Sequence, residues 1–205
     1  MFESFQRNFR RDPQSERAQG VEILRPDIPE LREFFTKFGG ASFQDGLYRV
    51  IHPAELDEWQ ERVGLAFPEF EGTLTCFGFD WLGTTFAIDS GRLEDGRNGV
   101  VMFEPGTGEA LEIPANLVSF HDSGLLEFGE AALAISFYKK WRTSGGLVPN
   151  YDQCIGYKKP LFLGGSDEVE NLEVSNLDVY WHIVGQLIRK TKGLPEGTPV
   201  RVRMD

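Results

Sequence analysis

Cysteine, histidine and methionine are scarce in this chain of 205 residues, with two, three and three of each. Cys76 and Cys154 form no spaced pair motif, so a disulfide framework and a zinc cluster are both excluded. Two reduced structural thiols in a cytosolic protein are the expectation. His52, His121 and His182 lie in separate segments without ligand spacing, and neither a metal nor another cofactor is expected. Long apolar runs are missing as well. No stretch reaches the roughly 18 residues a spanning helix needs, so no membrane partner is expected. The start, Met1 to Arg7, has an early Glu3 and no apolar core of a secretory signal, which points to the cytoplasm. A nucleophile elbow, a P-loop, a zincin helix and a dinucleotide fingerprint are all absent. Basic residues are in the minority, 21 against 32 acidic, for a formal charge of −11. Such a surface repels phosphate, which argues against direct nucleic-acid binding and for a partner with a basic face.

What is present is enough for a sizeable core: 40% of residues are hydrophobic and 13% aromatic. Phe2, Phe5 and Phe9 have helical spacing, ended by Asp12-Pro13. Ile28, Leu31, Phe35 and Phe38 form a second stripe, with Pro29 in the first turn and Gly39-Gly40 as its stop. Leu47 to Val50 reads as a short strand. Leu56, Trp59 and Val63 predict a third helix, closed by Gly64 and Pro68. The period then changes to two over Thr73–Phe79, Thr84–Asp89, Gly99–Phe103 and Ala110–Ile113, with Gly83, Gly91, Asp95-Gly96 and Pro105 to Gly108 as turns. Asn116 is placed to cap a helical turn through Phe120. Ala134, Phe137 and Trp141 predict a helix face stopped by Gly145-Gly146. Three strands are expected at Cys154–Tyr157, Leu161–Leu163 and Val169–Val174. A last helix runs from Leu177 to about Arg189. The fold class is α+β: N-terminal helices, then an antiparallel β-meander, then a smaller C-terminal α+β part.

Candidate chemistry is thin. His121-Asp122 reads either as a base with its orienting acid or as a residue pair at a helix end. His182, beside Trp181, is expected to be half-buried and structural. Leu163-Gly164-Gly165-Ser166-Asp167 suggests a phosphate loop, but no helix with a lysine follows and the surroundings are acidic. A tight turn after a strand is the better reading. Asp167, Glu168 and Glu170 are close enough in sequence to raise metal hydrolysis, yet alternate along the expected strand without a histidine. Charge distribution says more. From Pro160 to Ile188 there is no lysine or arginine, while Asp167, Glu168, Glu170, Glu173 and Asp178 are acidic. A second block, Glu55, Asp57, Glu58, Glu61, Glu69 and Glu71, is offset only by Arg62. Two such blocks suit a surface made to meet a basic partner.

Gly156-Tyr157-Lys158-Lys159-Pro160-Leu161-Phe162-Leu163-Gly164-Gly165, with Val169-Glu170-Asn171-Leu172, Val179-Tyr180-Trp181 and Gly185-Gln186-Leu187, resembles a known family. That family is the type VI secretion DNase-immunity proteins, with an N-terminal GAD-like domain and a characteristic C-terminal domain. Leu31–Phe38, Gly39-Gly40, Asp45-Gly46-Leu47, His52-Pro53 and Leu56–Trp59 resemble the GAD-like part. Where that part usually has a helical tryptophan, this chain has Phe34 and Phe35. The resemblance implies residues 1–120 as the GAD-like domain and 121–205 as the immunity domain. It also implies a non-enzymatic antidote that binds a basic DNase toxin of the same bacterium in the cytoplasm. The expected contacts are Asp167, Glu168, Glu170, Glu173 and Asp178, with Glu55 and Glu58 as a second candidate set. Trp181 is read either as core or as partner contact. The alternative functions are a SUKH-like interaction or regulatory module without a toxin partner, and an enzyme built on His121-Asp122 or the acidic cluster.

Overall fold

The computed structural model describes residues 1–13 and 28–194. Helix α1 (Glu3–Asn8) buries Phe5, and α2 (Pro29–Phe38) buries Leu31, Phe34, Phe35 and Phe38. Strands β1 (Ser42–Phe43) and β2 (Tyr48–Val50) follow. Helix α3 (Leu56–Ala66) does not stop at Gly64 as expected. It runs two residues further, to the point where Pro68 pushes Phe67 out of the helical region (φ −128°, ψ 65°).

The expected meander is present and longer than its sequence signal. Strands β3 (Leu74–Asp80), β4 (Thr85–Glu94), β5 (Arg97–Glu104) and β6 (Glu109–Asn116) join β1 and β2 in a six-stranded antiparallel sheet of order β1-β2-β3-β4-β5-β6. Gly91 is not a turn. It sits within β4, where the register slips between Asp89 and Leu93, and its amide donates to the Asp89 carboxylate at 2.8 Å. The turn is Asp95-Gly96, with φ of 51° and 75°, the left-handed pair that a two-residue hairpin requires.

Asn116 caps α4 (Leu117–Ser119) by accepting the amides of Val118 and Ser119, both at 3.1 Å. One π-helical turn, Phe120–Gly124, leads into α5 (Leu125–Glu127), α6 (Gly129–Leu133) and α7 (Ile135–Thr143). Ala134 is left-handed (φ 46°) and separates α6 from α7. The buried residue of α7 is Tyr138, whereas Phe137 and Trp141 are half-buried at its flank.

Beyond it, β7 (Gln153–Tyr157) pairs antiparallel with β8 (Leu172–Asn176), and α8 (Leu177–Thr191) closes the described chain. Two expected strands are corrected here. Leu161–Leu163 is a 3₁₀ turn, held between Pro160 and a left-handed Gly164 (φ 80°) that prevent extension. Val169–Asn171 is another, and the strand begins only at Leu172.

One hydrophobic cluster runs from Phe2 to Ile188. The 120/121 division falls inside the π-helical turn, and bonds cross it repeatedly. Asp122 accepts the amides of Phe2, Ser4 and Phe5 at 3.0, 2.9 and 3.2 Å, satisfying the N-terminal amides of α1. The Trp81 indole donates to the Leu133 carbonyl, and the Ile155 amide to the Trp81 carbonyl. Arg49, fully buried, donates to the carbonyls of Asn150, Gln153 and Asp80 and lies 4.5 Å from the Phe79 ring.

Candidate functional site

His121 and Asp122 are neighbours in sequence but not partners in space. His121 is buried among the rings of Phe2, Phe5, Phe34 and Phe77. Its Nδ1 faces the Leu117 carbonyl at 2.8 Å, so this nitrogen carries the proton. Its Nε2 lies 2.9 Å from the Tyr48 hydroxyl and therefore accepts. Burial drives its pKa down to about 3, so the ring is neutral, while Asp122 is bound to α1. The arrangement is that of a packed core histidine.

His182 differs from expectation. It is exposed on α8, with Nε2 2.8 Å from the Gln186 amide nitrogen. The His52 side chain accepts the Ala54 amide at the start of a 3₁₀ turn. Asp80 is buried with its carboxylate on the amides of Leu82 and Thr84 (2.9 and 2.8 Å), and burial raises its pKa to about 8. Both thiols are buried and raised to about 12 by desolvation. Among the described residues, no three or more His, Cys, Asp or Glu side chains converge as a metal site, and no helix is long and apolar enough to cross a membrane.

The segment 156–172 is held by its own residues. Asn171 accepts the Lys159 amide at 3.1 Å and donates to the carbonyls of Lys159 and Ser166 at 2.9 and 2.8 Å. A Cβ at Gly165 would lie 1.9 Å from the Lys159 carbonyl oxygen, so only glycine fits. The Leu161 amide donates to the Gly106 carbonyl, docking this loop against the meander. Gly156 packs under the Tyr180 ring, where a Cβ would lie 2.5 Å away, and the Tyr180 hydroxyl receives the Tyr157 amide. Trp181 is fully buried, its indole donating to the Gly83 carbonyl at 2.8 Å. In this conformation the Trp181 ring fills the core and is not exposed.

The acidic residues divide differently in space than in sequence. Asp167, Glu168, Glu170, Glu173 and Asp178 are all exposed. Asp167 accepts the Tyr157 hydroxyl at 2.6 Å, and Glu168 pairs with Lys140 of α7. Asp178 leaves this group and faces the other block, because α8 packs along α3. Its carboxylate takes Arg62 Nη2 at 3.0 Å, and the Arg62 guanidinium lies 4.6 Å from the Trp59 ring. A groove follows this seam. Glu55, Glu58 and Asp178 line one stretch, and Glu58, Glu61, Leu65 and His182 the next. Glu61 and Leu65 lead on to Gln60, Gly64 and Arg189. Neither Glu58 nor Glu61 is ion-paired among the described residues. Sequence periodicity could not reveal this juxtaposition, because α3 and α8 are more than 100 residues apart in the chain.

Comparison with known proteins adds two findings. Residues 122–188 match the family described as T6SS immunity protein Tdi1, C-terminal, where T6SS is the type VI secretion system. The match spans the loop, β8 and most of α8, the segment that carries the resemblance in sequence. The fold is similar to that in the crystal structure of Atu4351 from Agrobacterium tumefaciens, with a TM-score of 0.61 and 16% identity, over 91% of this chain and 89% of that one. A search of curated proteins returns no match.

Proposed function

We propose that this chain is a type VI secretion immunity protein that binds and inhibits a DNase toxin of its own cell, in the cytoplasm and without catalysis of its own. The match of residues 122–188 to a T6SS immunity family carries this reading. On it, residues 1–120 are the GAD-like domain and 121–205 the immunity domain, sharing one core.

The charge supports the same reading. A DNase holds its substrate through a cationic groove, and a protein of formal charge −11 is drawn to such a surface. Opposite fields speed encounter, which matters when a few uninhibited turnovers damage a chromosome. The candidate contact residues are acids of the two blocks: the exposed Asp167, Glu168, Glu170, Glu173 and Asp178 in one, and exposed Glu58 with half-buried Glu55 in the other.

The experiment is co-expression with each candidate DNase toxin of the chain's own genome, scored by plasmid integrity and cell survival. Intact plasmid only when the chain is present is the expected result. Degradation regardless of the chain overturns the reading.

A further inference from the structure

We propose that the α3–α8 seam, not the loop around Asp167, seats a lysine- or arginine-bearing segment of the toxin, and that Gly64 shapes that seat. This rests on the immunity reading above and goes on to place its interface.

Gly64 is the first observation. It lies inside α3, and neither conformation nor packing requires a glycine there. Its φ is not positive, and a Cβ built on it meets no atom within 4 Å. Glycine in a helix interior is destabilising relative to alanine, so the position carries a cost without a gain in the free protein. Gly185 of α8 shows the contrast. A Cβ there would sit in ordinary contact, 3.5 Å, with that of Ala66, so this position lies between the packed helices. Gly64 instead leaves open space in the groove beside Gln60, Glu61 and Leu65. A partner side chain can fill it.

The composition of the groove is the second. Glu55, Asp57, Glu58, Glu61 and Asp178 line it against Arg62 and Arg189, an excess of carboxylates.

Electrostatics selects the occupant. Arg62 and Arg189 are the groove's cations, and Asp178 and the Trp59 ring already engage Arg62. Glu58 and Glu61 have no ion pair among the described residues, and the groove's acids outnumber its two arginines, which favours an incoming cation. A nuclease must display cations to hold DNA, so its basic face is the complementary surface. The loop is poorer ground, because Asp167 and Glu168 are already bonded to Tyr157 and Lys140.

The test uses the full chain and a catalytically inactive form of the DNase toxin it protects against in the co-expression assay, with binding measured by calorimetry and folding by thermal melting. Gly64→Gln is expected to keep or raise the melting temperature while weakening binding by about tenfold or more. The Glu58→Lys/Glu61→Lys double variant, at exposed positions, is expected to weaken it by about a hundredfold. Glu168→Lys/Glu170→Lys is expected to stay within about threefold of wild type. Folded seam variants that bind like wild type overturn the placement, whether or not the loop variant loses binding, and leave the immunity reading standing. A wild-type chain that neither binds nor protects overturns both.

Discussion

His121 is neutral because of where it sits, and that makes it a point of acid sensitivity. The folded state holds its pKa near 3 by burial, below the ordinary value of 6.5. A group depressed in the fold contributes stability that is complete above its unfolded pKa and is lost as pH falls through the window between the two. One proton is worth about 1.4 kcal/mol per pH unit in that window. Urea unfolding between pH 7 and 4 is therefore expected to show a steeper loss in wild type than in His121→Gln, whose amide can serve both the Leu117 carbonyl and the Tyr48 hydroxyl. Equal slopes would assign the acid sensitivity elsewhere. The sequence shows His121 and Asp122 side by side, but consecutive residues of a helical turn point in different directions. Adjacency in the chain therefore concealed two separate roles. Trp181 was ambiguous for another reason: a helical stripe reports a buried face, and only the packing partner, the Gly83 carbonyl, shows which residue lies deepest.

Among the elements, the loop between β7 and β8 is held by backbone geometry. Gly165→Ala places a methyl group against the Lys159 carbonyl and is expected to cost about 2 kcal/mol or more, read from the urea midpoint. The same substitution at Gly64, in open space, is expected to be neutral or stabilising. These two glycines looked alike in sequence, as turn and stop signals. Only one is required by its neighbours. Helices and meander strands were readable wherever period and turn residues agreed, as at Asp95-Gly96 or Asn116. The run Leu161-Phe162-Leu163 was not, since three apolar residues fit a strand or a helical turn equally and Pro160 and Gly164 decide between them. The α3–α8 groove was unreadable because its two walls belong to opposite ends of the chain.

Taken as a whole, the molecule links its small β7–β8 ribbon to the large sheet through Arg49 and Trp81, and α8 to the same sheet through Trp181. Each of these ties joins residues before the 120/121 boundary to residues after it. Cys76 lies in β3 and Cys154 in β7, both sealed and both held protonated by burial. A thiol reagent can reach either sulfur only when its sheet comes apart, so the pair amounts to two stopwatches installed in different rooms of the same house. Single-cysteine variants, Cys76→Ser and Cys154→Ser, exposed to such a reagent in mild urea are expected to be labelled at the same rate, because the ties oblige both sheets to open together. A faster Cys154 would mean that the ribbon lets go first.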